Sequence, residues 1–163
     1  MYRYVTTAFA GEKMSFKSPR SKYDRALQLA QETSEPTREA YDLLITTEKE
    51  SDPRASYALA TWYLHGSKFT AVNKKRAVQL LKKSAKGGVA DAAHDLAVAY
   101  EKGDGVDKSP ELAFESNVLA ALLGDAQSFY EVGRMYFHGI GVAKNRRLAK
   151  YWLAKAEALG IDE

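Results

Sequence analysis

The stretch YEKGDGVDKSPELA, from Tyr100 to Ala113, is followed 36 residues later by YFHGIGVAKNRRLA, from Tyr136 to Ala149. Both share the skeleton Y-x-x-G-x-G-V followed at a fixed distance by alanine, although one is partly acidic and the other basic. Self-similarity at a period of about 20–50 residues marks an array in which one supersecondary unit stacks on the next. That excludes most other architectures before any single residue is weighed.

The register extends in both directions. Tyr63, Tyr100 and Tyr136 align, as do Gly66, Gly103 and Gly139, and Ala77, Ala113 and Ala149. Ser84, Ala120 and Ala156 follow, then Gly88, Gly124 and Gly160. Upstream, Ala55, Ala92 and Ser128 correspond, then Leu59, Leu96 and Val132, then Ala60, Ala97 and Gly133. Ala55, Leu59 and Tyr63 lie four apart, on one helical face. The glycine three after each tyrosine can take the left-handed conformation that ends a helix. A second helix carries Ala77, Leu80, Leu81 and Ser84, or Ala149, Trp152, Leu153 and Ala156. The retained residues stop, turn and pack a hairpin, and the changed ones face water, where charge varies at little cost.

The first unit departs from this pattern. GSKFTAVNKKRA has one residue more and no second glycine, so a different loop is expected there. An earlier, degenerate unit is visible in SKYDRALQLAQE and REAYDLLITTEKES, with Pro36 suited to a first helical turn. The expected organisation is an extension over 1–19, a degenerate hairpin over 20–51, and three units within 52–163, at about 52–88, 89–124 and 125–160.

These residues resemble the Sel1-like repeat family, a relative of the tetratricopeptide repeat. The third unit carries the pattern in Val132, Gly133, Tyr136, Gly139, Gly141, Val142, Ala149, Trp152, Lys155, Ala156 and Gly160. The second has Leu96, Tyr100, Gly103, Gly105 and Val106, with Ser116 where tryptophan is usual; the first lacks the G-x-G-V turn. The resemblance implies an all-α fold, a right-handed α/α solenoid of helix-turn-helix units that serves as a scaffold or adaptor for other proteins.

Little competing chemistry is legible. GDGV and GIGV lack the G-K-[ST] ending and preceding strand of a phosphate loop. Asp104 and Asp107 lack the spacing of a calcium loop. His65 and His138 share a repeat position, but two hairpins of packed helices put them about 20 Å apart, too far to share a metal. No nucleophile, base and orienting group fall into a plausible set, so the chain reads as noncatalytic, without cofactor or metal. A net charge of +3 does not argue for nucleic acid. The basic clusters Lys74, Lys75, Arg76, Lys82, Lys83 and Lys86, and Lys144, Arg146, Arg147, Lys150 and Lys155, read as solvated faces of the second helices. The absence of cysteine fits a reducing compartment, and a cytoplasmic location is expected. Thr7–Ala10 has the small-x-small form of a cleavage site, but the stretch before it is too short and polar for a leader.

In a stacked array, affinity comes from variable side chains on a continuous face. Helical spacing selects Ala58, Thr61 and His65 in the first unit, Asp95, Val98 and Lys102 in the second, and Glu131, Arg134 and His138 in the third. Trp62 and Met135, at the margin, are large apolar candidates for anchors. Partial burial is the competing reading for each. The expected partner is another protein or peptide. Alternatives are a dedicated inhibitor or immunity-type protein, and a hydrolytic enzyme using Asp95 or Glu131. The last hairpin, with Met135, Phe137, Trp152 and Leu153, is expected to leave apolar surface open for self-association or docking.

Overall fold

The computed structural model describes residues 21–31 and 37–161, and these contain helices, turns and loops but no strand. The order is α1 (Lys22–Gln31), α2 (Arg38–Lys49), α3 (Pro53–His65), α4 (Lys74–Lys86), α5 (Ala90–Lys102), α6 (Pro110–Leu122), α7 (Ala126–His138) and α8 (Arg146–Ala158). Consecutive helices pair as hairpins, α1 with α2 through α7 with α8. The hairpins then stack, α2 on α3, α4 on α5 and α6 on α7. The fold is an α/α solenoid. The extension, Thr7–Ala10 and Pro36 lie outside the described residues; α2 is capped by Thr37, whose side chain accepts from the Ala40 N–H.

The aligned positions are the core. Ala55, Ala92 and Ser128 are fully buried, as are Ala77 and Ala113. Leu59 and Val132 fill the space between helices that these small residues bring together. At Gly133 even a Cβ would come within 2.7 Å of the Leu153 Cγ, which explains why the third hairpin carries the smallest residue there.

The three repeat hairpins, hairpin one (α3 and α4), hairpin two (α5 and α6) and hairpin three (α7 and α8), close in the same way. The N–H of Asn73, Ser109 or Asn145 donates to the carbonyl of the aligned tyrosine, Tyr63, Tyr100 or Tyr136, at 2.8, 3.1 and 2.9 Å. The same three residues are N-caps, with side chains accepting from Arg76, Leu112 and Leu148 N–H groups. One residue thus anchors the turn and satisfies a free donor of the next helix. Gly103 and Gly139 end α5 and α7 in the left-handed region, at φ 76°, ψ 30° and φ 75°, ψ 45°.

The second glycine of each turn works between hairpins. Gly105 (φ 73°) lies on the backbone of Lys74, the first residue of α4, and Gly141 (φ 66°) lies on Pro110 and Glu111, which open α6. A Cβ on Gly141 would sit 2.8 Å from the Glu111 nitrogen and closer still to the Pro110 carbonyl. Hairpin one has no such glycine, and its loop is indeed different: Gly66 has φ 77° but ψ 158°. Phe69 reaches back instead, stacking on Tyr41 with ring centroids 5.7 Å apart and lying under the Arg38 guanidinium at 5.7 Å. An aromatic contact there replaces a backbone contact in the later hairpins.

Candidate partner-binding face

The first helices α3, α5 and α7 present the residues selected by spacing. His65, Lys102 and His138 are exposed, each in the last turn of its helix, and Ala58, Thr61, Val98, Asp95, Glu131 and Arg134 are half-buried. The Thr61 hydroxyl donates to the Ala58 carbonyl at 2.8 Å. Two candidates are placed elsewhere. Met135 is fully buried and Trp62 is 6% exposed. Met135 accepts from Asn117 Nδ2 through its sulfur at 3.6 Å, and Trp62 stacks on Tyr41 with centroids 5.8 Å apart. Both point into the contact with the preceding hairpin, so they pack the core instead of offering anchors to a partner.

Much of the charge on this face is tied between hairpins. Tyr57 of α3 donates to the Asp95 carboxylate of α5 at 3.3 Å. Arg134 of α7 bridges Glu131, at 2.7 Å, and Glu101 of α5, at 3.1 Å. His94 Nδ1 lies 3.1 Å from Ser128 Oγ and 3.5 Å from Asp125. Tyr57, His94 and Glu101 were not candidates from the sequence, because their partners are 33 to 38 residues away. The usable signal is opposite charge or hydrogen-bonding character displaced by one repeat period, give or take a turn.

Burial pushes the Asp95 carboxyl up, with the neighbouring Asp91 adding to the shift, against the opposing pull of His94 and Tyr57. A carboxyl raised in the folded state binds its proton more tightly there than in the unfolded chain. Its contribution is therefore fully present below the ordinary value of 3.8 and is lost as pH rises through the folded value. Asp95→Asn keeps an acceptor for Tyr57 and removes that loss. The expected result is a stability difference, mutant minus wild type, that grows as pH climbs from 3.5 to about 7 in urea titrations. A difference flat with pH would show that Asp95 does not titrate abnormally.

The Ser128, His94 and Asp125 group does not form a catalytic relay. Serine and aspartate both meet the same imidazole nitrogen, and Ser128 is fully buried. Asp95 is engaged by Tyr57 and Glu131 by Arg134, so the two groove carboxylates are not paired with each other through these contacts. No group of three or more His, Cys, Asp or Glu among the described residues is arranged to hold a metal. No helix among them is long and apolar enough to cross a membrane.

On the second helices the basic clusters are partly engaged. Lys74 pairs with Asp104 at 2.9 Å and Lys83 with Glu48 at 2.7 Å, while Lys82 lies 5.4 Å from the Tyr100 ring centre. What the spacing missed is apolar exposure. Leu122 is 74% exposed, and Leu112 and Leu119 lie along the same side of α6.

Comparison with known proteins agrees with this geometry. The Sel1 repeat model matches residues 53–89, 90–115 and 126–161. A Sel1 repeat protein from Oxalobacter formigenes superposes with a TM-score of 0.69 at 37% identity, covering 76% of this chain and 92% of that one. The Escherichia coli protective antigen c5321, which displays an SLR fold, gives 0.77 at 26% identity over 85% of this chain and 30% of the antigen. Among curated relatives, DAP3-binding cell death enhancer 1 of Rattus norvegicus is 36% identical over 55% of this chain. Chitin synthase regulatory factor 1 of Schizosaccharomyces pombe is 30% identical over 77%. The chain spans only 17% and 26% of the length of these two relatives. Three matched units in register, each folded as a hairpin closed on its aligned tyrosine, make this chain a member of the Sel1 repeat family.

Proposed function

We propose that the chain is a noncatalytic scaffold that binds another protein along the face lined by α3, α5 and α7. The observation that carries this reading is the set of contacts crossing from hairpin to hairpin, Tyr57 to Asp95 and Glu101 to Arg134. They hold the side chains of three helices in one arrangement before a partner arrives, and preorganisation of this kind reduces the ordering cost of binding. The names of the two curated relatives, a binding protein and a regulatory factor, denote action on other proteins and support the same reading. His65, Lys102 and His138 stand in register along one edge of the face, where an extended partner segment with carboxylates would meet them in turn.

The test is affinity capture with mass spectrometry using wild type and the triple variant His65→Glu, Lys102→Glu, His138→Glu. These residues are exposed, so helical content and melting should move little. The expected result is loss of the native partner by at least about tenfold, a change of about 1.4 kcal/mol. Retention by this variant, with loss by Lys75→Glu, Lys86→Glu on α4, would move the site to the second helices.

A further inference from the structure

One groove repeats, in altered chemistry, the surface on which each hairpin receives the next. It has a volume of about 420 Å³ and is lined by residues of α7, α8 and Ile161. Its lining residues Tyr130, Phe137, Arg146, Lys150 and Leu153 stand one period after His94, Glu101, Pro110, Phe114 and Asn117. All five contact hairpin three from hairpin two. His94 meets Ser128, Glu101 meets Arg134, Pro110 lies under Gly141, Phe114 packs edge-on against Tyr136, and Asn117 reaches Met135. The groove is therefore the place where a helix in the position of α7 would lie, one period on. Its floor has changed, with Phe137 in place of Glu101 and Leu153 in place of Asn117. Its edge has changed too, with Lys150 and Arg146 in place of Phe114 and Pro110. Phe137 is 43% exposed, and the cationic groups of Lys144 and Arg146 each stand 5.9 Å from its ring centre.

We propose that this groove docks an amphipathic α-helix of a partner protein, with an apolar stripe against Phe137 and Leu153 and carboxylates along the flank that faces Arg146 and Lys150. The fit rests on two features: continuity with the hairpin-to-hairpin interface, and an edge on which Arg146 and Lys150 outnumber the one lining carboxylate, Glu157, and so favour acidic partner residues. The groove borders the first-helix face at α7, where Phe137 packs edge-on against His138 with centroids 4.9 Å apart, but Arg146, Lys150 and Leu153 belong to α8, and a peptide assay reads the groove without the native partner of that face.

The test uses the full chain and two synthetic helical peptides with the same leucine stripe, one flanked by glutamates and one by lysines, read by fluorescence anisotropy. The glutamate peptide should bind at least about tenfold more tightly than the lysine peptide. Phe137→Ala should weaken the glutamate peptide by about tenfold, and Lys150→Glu should weaken it while strengthening the lysine peptide. Circular dichroism on both variants verifies folding, since Phe137 and Lys150 are exposed. Equal binding of the two peptides, or unchanged binding by both variants, would overturn the proposal. So would a concentration-dependent dimer of the free chain that Phe137→Ala abolishes, because a second copy would then be the occupant.

Discussion

Gly141→Ala is expected to cost about 3 kcal/mol, through left-handed strain of about 1–2 kcal/mol plus overpacking of about 1–3 kcal/mol. Gly141 has φ 66°, and its missing Cβ would enter the space of the Pro110 carbonyl and the Glu111 nitrogen. Backbone at the start of a helix cannot rotate aside as a side chain can. Relief requires hairpin three to lift from hairpin two. Because a stacked array is held by nearest-neighbour interfaces, that displacement should uncouple the third hairpin and broaden the unfolding transition. Gly124→Ala is the control: Gly124 has φ 101° with nothing within 4 Å of its Cβ position, so it reports conformational strain alone. Urea unfolding of both variants measures the difference. Equal costs would mean that the second glycine serves its own turn and not the stacking of hairpins.

Met135→Ala should cost about 3 kcal/mol of stability, within the 2–5 kcal/mol found for truncating buried methionine or leucine. Met135 is fully buried between hairpins two and three, with its sulfur on Asn117. Met135→Leu keeps the volume and should cost less than about 1.5 kcal/mol. A partner anchor would behave differently, with native stability and lost capture in the alanine variant. Denaturant midpoints and capture, measured on the same two variants, separate these outcomes.

The hairpins were legible because their signals are local. A tyrosine, a glycine three residues on and an alanine at fixed distance set the stop, the turn and the close packing within one unit. The direction of side chains between units was not legible in the same way. A first helix of a solenoid is buried on two sides, against its own partner helix and against the preceding hairpin, so an apolar position such as Met135 fits either side of a helical wheel. Asp95 reads as a solvated charge until Tyr57 is brought beside it from the neighbouring hairpin. In α6 the sequence PELAFESNVLAAL is apolar around most of its circumference, which hides the exposure of Leu112, Leu119 and Leu122 from any periodicity argument.

The turn contacts also carry an ordering rule for the units. A hairpin whose turn offers glycine needs only bare backbone at the start of the preceding second helix, as Lys74 and Pro110 supply for Gly105 and Gly141. At this turn contact such a unit is generic, because every second helix opens with backbone. Hairpin one instead requires an arginine and a tyrosine in its predecessor, because Phe69 is seated on Arg38 and Tyr41. It is keyed to α2 and to no other second helix described here. Rearranging this chain by recombination would thus meet no obstacle from the turn glycines of hairpins two and three, only from side-chain pairs such as Glu101 with Arg134, whereas hairpin one is also tied through its turn to the α1 and α2 pair on which it rests.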